Sequence, residues 1–335
     1  MDAIKRVIFS KSRQPLLYLF AACAGAALAV APAPASAQYP DKPIRVIVAY
    51  PAGGATDVIA RLIGARLGER LKQPIVVENR AGASGMIGSE AVAKAAPDGY
   101  TLIYTAADTH SINPHVYPKI AYDARRDFTP IALTGQNPLG LVVKTALPAN
   151  NVAQLIKLAK DSPGKLTFAS WGVGSSSQAA MEMFNAQVGV DLLHVPFQGA
   201  APAIQAVMAG QVDAMMVPLT LAEPNHKAGK VRLLAALTPQ RSGAAPDAQT
   251  LTEQDVPLSV GPWQGFLGPA NLPPAVVALL NREVNAVLTD PAMREQLLKA
   301  GLEVSTSTSQ DFKALLDSEY ERWGKTIRAA KIRVD

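Results

Sequence analysis

Residues 44–60 read IRVIVAYPAGGATDVIA. The first six, Ile44 to Ala49, are a short β-rich apolar run of the kind buried on both faces of a parallel sheet. Pro51-Ala52-Gly53-Gly54 then turns the chain. Thr56 or Asp57 is placed to cap a helix from Val58 to Leu71, with Ile59, Leu62, Ile63 and Leu67 on one stripe. Outward from this stretch the scheme continues. A strand at 75–78, a Gly-rich loop at 81–85, a helix at 87–95 and a strand at 101–105 follow, the last after the turn signal Pro97-Asp98-Gly99. Strand, helix, strand, helix, strand is the signature of a βαβ sheet with right-handed crossovers.

The middle of the chain repeats the scheme. Strands are expected at 140–143, 166–170, 193–197, 213–217 and 232–237, with helices at 152–160, 178–188 and 201–209. Residues 243–256 read as polar loop. The last third differs: one short strand at 263–267, then helices at 276–288, 291–300 and 312–329, the last amphipathic. The expected class is α/β with two parallel-sheet lobes. The first lobe takes residues 38–138 and the return segment 263–335, and the second takes 139–262.

The 335 residues, 49% apolar and 18% charged, suffice for two ordinary domains and argue against a disordered chain. The N-terminus reads as a leader rather than as fold. Lys5, Arg6, Lys11 and Arg13 precede the apolar run Leu16 to Val30. Ala35-Ser36-Ala37 then supplies a small-x-small cleavage pattern, so residues 1–37 are a signal peptide and Gln38 opens the mature chain. The run is short against the roughly 20 residues of a bilayer span. Cys23, the single cysteine, lies inside this leader and offers an alternative lipidation site, although Phe20 stands where Leu is usual. The mature chain has no thiol for disulfides, catalysis or metal binding. Export points to the periplasm. The formal charge of +5 includes +3 from the leader and falls to +2 without it, which leaves no nucleic-acid footprint.

Candidate binding residues lie where strands end. Ligands of parallel sheets sit outside the carboxyl ends of the strands, at the starts of the following helices. Pro51 to Thr56 occupies that place in the first unit, and Gly172-Val173-Gly174-Ser175-Ser176-Ser177 in the second. Glycines let backbone approach a ligand, helix-start N–H groups are orphan donors, and the helix dipole favours an anion. Two such loops can clamp one carboxylate between lobes, with the Gly53 and Gly54 amides and the Ser175 and Ser176 hydroxyls as donors. The plainer alternative is that both are ordinary turns and N-caps. Ser84, in the loop 82–85, either lines the cleft or merely turns. Asp57 and Arg61, four apart, pair with each other. Asp108 and His110 follow the third strand and are candidates for reading the far end of a ligand. An acidic Asp108 there would disfavour a second carboxylate and prefer an amine or hydroxyl. His194 reads as a packed core histidine. Trp171 and Trp263 either cover a ligand or fill the core, with core the favoured reading.

No G-x-S-x-G elbow, P-loop, G-x-G-x-x-G after the first strand or H-E-x-x-H is found, and the four histidines lack metal-ligand spacing. No cofactor and no metal is expected, although sequence alone leaves open a serine–histidine pair assembled by the fold.

Several segments, in order, resemble one family. Pro51-Ala52-Gly53-Gly54-Ala55-Thr56-Asp57 with Ala60-Arg61 is similar to the first-helix signature of the Bug receptors, the extracytoplasmic solute receptors of tripartite tricarboxylate transporters. Residues 77–85 and 97–102, Asn113-Pro114 with Tyr117, Gly174-Ser175-Ser176 and residues 194–199 match further segments, so the likeness runs from about residue 39 to the C-terminus. The resemblance implies a type II periplasmic binding protein with two chain crossings between lobes and a small carboxylate as ligand. It implies donors at Ala52, Gly53 and Gly54 and at Gly174, Ser175 and Ser176, with Gln198 and Gly199 in the loop after the matching second-lobe strand. Phe197 stands where many relatives have Tyr. Trp171 and Gly172 lead into the second clamp loop, and Ala106 begins the variable stretch that reads the distal end. The partners implied are membrane transporter subunits, with the receptor a monomer. A receptor docking on a sensor kinase would use the same cleft, and a secreted α/β hydrolase is the third reading.

Overall fold

The computed structural model describes residues 39–334. Residues 1–38, where the leader is expected and Cys23 falls, lie outside the described residues.

Strand β1 (Ile44–Val48) is the keystone of the first sheet. It pairs in parallel with β2 (Ile75–Asn79) on one side and β3 (Thr101–Ala106) on the other. Ile44, Val46, Ile47 and Val48 are wholly buried, so the apolar run serves both faces. Burying each such side chain contributes about 1.5–3 kcal/mol. Helix α1 (Ala55–Leu71) crosses from β1 to β2. It turns Ile59, Ala60, Ile63 and Leu67 inward at helical spacing and ends on Lys72 in the left-handed region. Helix α2 (Met86–Ala93) leads into β3.

Neither sheet is wholly parallel, which corrects the reading from βαβ pattern alone. In the first, of order β11-β4-β10-β3-β1-β2, strand β10 (Trp263–Pro269) runs antiparallel to both β3 and β4 (Phe128–Gln136), and β11 (Glu303–Val304) runs antiparallel to β4. The second sheet, of order β7-β6-β8-β5-β9, pairs β6 (Thr167–Ser170) in parallel with β7 (Leu193–Pro196) and β8 (Ala214–Pro218). Its strand β5 (Leu139–Lys144) is antiparallel to β8 and β9 (Val231–Ala236). Two of the reversed strands, β5 and β10, are those entered as the chain passes between sheets. Strand β4 runs almost directly into β5, and β10 returns after β9. Neither has a helical crossover to hold it parallel to its neighbours.

Helices α4 (Val152–Asp161), α5 (Ser176–Val188), α6 (Ala200–Met208) and α7 (Leu219–Lys227) pack on the second sheet, with a short α3 (Asn113–Val116) between β3 and β4. Helices α8 (Pro274–Leu288) and α9 (Pro291–Lys299) follow β10. The last helix, α10 (Ser309–Ala329), serves two cores. Phe312 at its start is buried with Ile47, Ile103, Trp263 and Leu267 of the first sheet. Trp323 and Ile327 near its end are buried with Leu139, Leu141 and Phe168 of the second, and with Phe184 of α5. The strands cross twice, and this helix ties the same two bodies a third time.

Candidate functional site

Four loops at the carboxyl ends of β1, β2, β3 and β6 enclose a cavity of about 420 Å³. Ala49, Tyr50 and Pro51 line it from the end of β1, and Ala81, Gly82, Ser84 and Gly85 from the loop after β2. Asp108 and Asn113 line it from the segment after β3, and residues 171–175 from the loop after β6. This is where the ends of parallel strands offer space to a ligand.

Each wall is built by its own hydrogen bonds. Below the β1 loop, Asp57 is buried. Its Oδ2 accepts from the Gly53 amide at 2.9 Å, and its Oδ1 accepts from Arg61 Nε at 3.0 Å and Asn79 Nδ2 at 2.8 Å. Burial alone would raise this carboxyl, but donors from Arg61, Gly53 and Asn79 outweigh it and hold the pKa below the usual range. Helix α1 therefore starts at Ala55 with Gly54 as N-cap, and Asp57 acts from inside the first turn. The Gly53 amide is already satisfied, and Ala52, Gly53 and Gly54 are exposed beside Pro51 without lining the cavity.

The second clamp loop is also closed on itself. Ser175 caps α5: its Oγ donates to Gly172 O at 2.7 Å and accepts from the Gln178 amide at 3.3 Å. Gln178 Oε1 in turn accepts from the Gly174 amide at 2.8 Å, a reciprocal arrangement akin to a capping box. Gly174 sits at φ +74°, and a Cβ there would come within 2.7 Å of Val116 Cγ1. Ser176 is buried, and its amide donates to Asp108 Oδ1 at 3.2 Å. Asp108 thus reaches from the first sheet's segment to the first turn of a helix over the second sheet.

Residues 108–112 form one wide helical turn rather than a loop. Burial raises the Asp108 pKa, and the Ser176 contacts only partly offset this. His110 does not face the cavity. It is buried, its Nδ1 meets Thr109 Oγ1 at 2.7 Å, its ring lies edge-on to Phe128 at 4.4 Å, and burial pushes its pKa down to about 3. Asn113 Nδ2 donates to Ser84 O at 2.9 Å, and Ser84 Oγ meets Tyr117 Oη at 2.6 Å across the mouth of the same wall. The Tyr50 hydroxyl is buried with no partner in hydrogen-bonding geometry, although Thr105 and Thr109 lie beside it. Burial, and then the Asp108 charge, hold it well above the usual phenol range.

Of the residues singled out in the sequence, Ser84, Asp108, Trp171, Gly172, Gly174 and Ser175 meet at one cavity. Ala52, Gly53, Gly54, Asp57, Ala106, Ser176, Gln198 and Gly199 are not among its lining. Asp57 and Ser176 are buried behind the walls, Ala106 is buried in β3, and Gln198 and Gly199 lie between β7 and α6. Trp171 is half-buried at the cavity, whereas Trp263 is core. His194 is half-buried rather than core. It stacks on Phe168, and its Nε2 meets Ser170 Oγ at 2.6 Å. This serine–histidine pair is not set up for attack, because Ser170 is fully buried and its hydroxyl also engages Gly172. Pro51 belongs to the loop expected at the end of the first strand, but Ala49, Tyr50, Ala81 and Asn113 were not expected in the lining. The position of Ala49 and Tyr50 directly after the β1 run was the available signal.

The lining holds one carboxylate, Asp108, and no Lys, Arg or His. Among the described residues, no group of His, Cys, Asp and Glu is disposed to hold a metal ion, and no helix is long and apolar enough to cross a membrane.

Comparison with known proteins places this architecture. A Bordetella pertussis protein, BugT, is 34% identical over 92% of this chain and 94% of its own length. A Rhodopseudomonas palustris protein solved with adipate shares 33% identity, with a TM-score of 0.77 over 88% of this chain and all of that one. MatC from the same organism, with bound malate, shares 34% identity, with a TM-score of 0.73 over 86% of this chain and all of that one. The family model described as the tripartite tricarboxylate transporter family receptor matches residues 59–332. The chain belongs to that receptor family, the Bug-type solute-binding receptors of tripartite tricarboxylate transporters.

Proposed function

We propose that this chain is exported by its leader to the periplasm, captures a small carboxylate in the cavity at the strand ends, and presents it as a monomer to the membrane subunits of a transporter. It performs no chemistry on the solute. The observation that carries this reading is the convergence of loops from both sheets on one cavity of about 420 Å³ lined by backbone, hydroxyl and amide groups and one carboxylate, Asp108. Two relatives of similar fold hold adipate and malate, which supports a carboxylate as the class of solute. Ser84 and Asn113 and the loop amides at 81–82 and at 173 are the groups proposed to receive it. Gly172, Gly174, Ser175 and Trp171 form the opposing wall, held in shape by Gln178 and Ser176. The outer shell comprises Asp57, which fixes the first loop, with Ala52, Gly53 and Gly54 at its rim, and the neighbouring Ala106, Gln198 and Gly199.

Neutral donors suit a carrier. Each hydrogen bond to a charged group is worth roughly 1.5–3 kcal/mol, and a few of them, less the ordering cost, support reversible micromolar binding. The test is a thermal-shift screen of the purified chain against mono-, di- and amino-carboxylates. A true solute at about 100 times its Kd adds about 2.7 kcal/mol to stability. At least one acid is expected to raise Tm, and Asn113→Ala is expected to abolish that rise. No rise with any acid, or a rise untouched by Asn113→Ala, would refute the reading.

A further inference from the structure

Both helix starts that flank the cavity already carry a resident carboxylate. Asp57 at α1 is locked by three donors. At α5, the Ser176 amide points to Asp108 at 3.2 Å, the Ser175 amide is taken by Gly172 O, and the Gly174 amide is taken by Gln178 Oε1. The end of α5, which bare would attract an anion, is thus filled by the chain's own anion. Nothing else in the lining balances that charge, since Asp108 is its one charged side chain. A carboxylate retains acceptor capacity beyond one amide, and in a half-enclosed site a second carboxylate beside it is repelled while an N–H donor is attracted.

We infer that Asp108 determines specificity: the solute presents an ammonium or amide N–H to it while its carboxylate rests on the opposite wall, and dicarboxylates are discriminated against. This rests on the reading of the cavity as the solute site. Burial penalises the ionised form of Asp108, and a cationic group placed beside it recovers that form. The arrangement differs from a clamp of bare helix ends, in which both ends of a diacid would find free amides.

The test uses three matched pairs of probes: ε-aminocaproate against adipate, γ-aminobutyrate against succinate, and para-aminomethylbenzoate against terephthalate. Calorimetric titration of the purified chain at neutral pH is expected to favour the amine member of the binding pair by at least roughly tenfold. Asp108→Asn is expected to erase that preference while the folded chain retains its other contacts. A dicarboxylate that binds the wild-type chain as tightly as its amine counterpart overturns the inference without any variant, and leaves the carboxylate reading standing. An unchanged ratio in Asp108→Asn overturns it also. If none of the six probes binds, the inference fails, and the carboxylate reading fails with it only if every acid of the wider screen is silent too.

Discussion

Replacing Asp57 by Asn tests how the first wall is held. The carboxylate presents Oδ1 to Arg61 and Asn79, and Oδ2 to the Gly53 amide. An asparagine of the same shape has one acceptor oxygen. With that oxygen facing Arg61 and Asn79, its NH₂ group meets the Gly53 N–H, donor against donor. The charge-assisted bond to Gly53 is lost, and the Gly53 donor is left opposed, at a cost of about 3 kcal/mol. The half-exposed Arg61 adds little to that figure, since its pairing is screened by water. For a chain of this size the loss lowers Tm by about 6 °C, readable by calorimetry at neutral pH. The sign with pH is fixed. The folded pKa of Asp57 lies below its unfolded value, so its contribution is complete above that value and fades as pH falls through the folded one. The gap between wild type and Asp57→Asn must therefore narrow in acid. A neutral-pH shift under about 1 °C, or a gap that widens in acid, would refute the reasoning.

Gly174→Ala puts a Cβ on a backbone at φ +74° and 2.7 Å from Val116 Cγ1, so it is expected to cost about 2 kcal/mol and to weaken solute binding, with urea titration and calorimetry as the measurements. His110 has a folded pKa of about 3, depressed by burial. The unfolded chain therefore binds the proton first, and stability declines as pH falls from about 6.5 toward that value. His110→Phe is expected to flatten that decline between neutral and mildly acid buffers, and an unaltered slope would count against it. Trp323→Ala removes a fully buried ring and one of the two donors to Glu319 Oε2, for a loss of roughly 4 kcal/mol in urea unfolding. Because α10 ties both cores, the transition is also expected to broaden.

Much of the fold was legible because hydrophobic period survives in the sequence. The run Ile44 to Val48 and the stripe Ile59, Ile63, Leu67 announce their elements without any tertiary information. Strand β4 was not read, since Pro130 and Gly135 interrupt it and its pairing with β10 shifts register twice. Helix α7 was hidden by Pro224 inside it. The antiparallel members of each sheet depend on which body the chain enters next, which no local pattern records. At the site, loop placement was visible, but the use of its donors was not. Asp57 taking the Gly53 amide, Gln178 taking Gly174 and Asp108 taking Ser176 are choices among partners, the last separated by 68 residues. A Gly-Gly or Gly-Ser loop looks like open donor capacity until the fold shows which acceptor arrives first.

The most direct measurement is a crystal structure of the chain with the acid that raises its Tm most. Density for that acid is expected within the cavity, in contact with Ser84 or Asn113 on one side and the loop 171–175 on the other, with Asp108 beside its N–H group. Density in another groove, for instance between α5 and the end of α10, with the strand-end cavity holding only solvent, would contradict it.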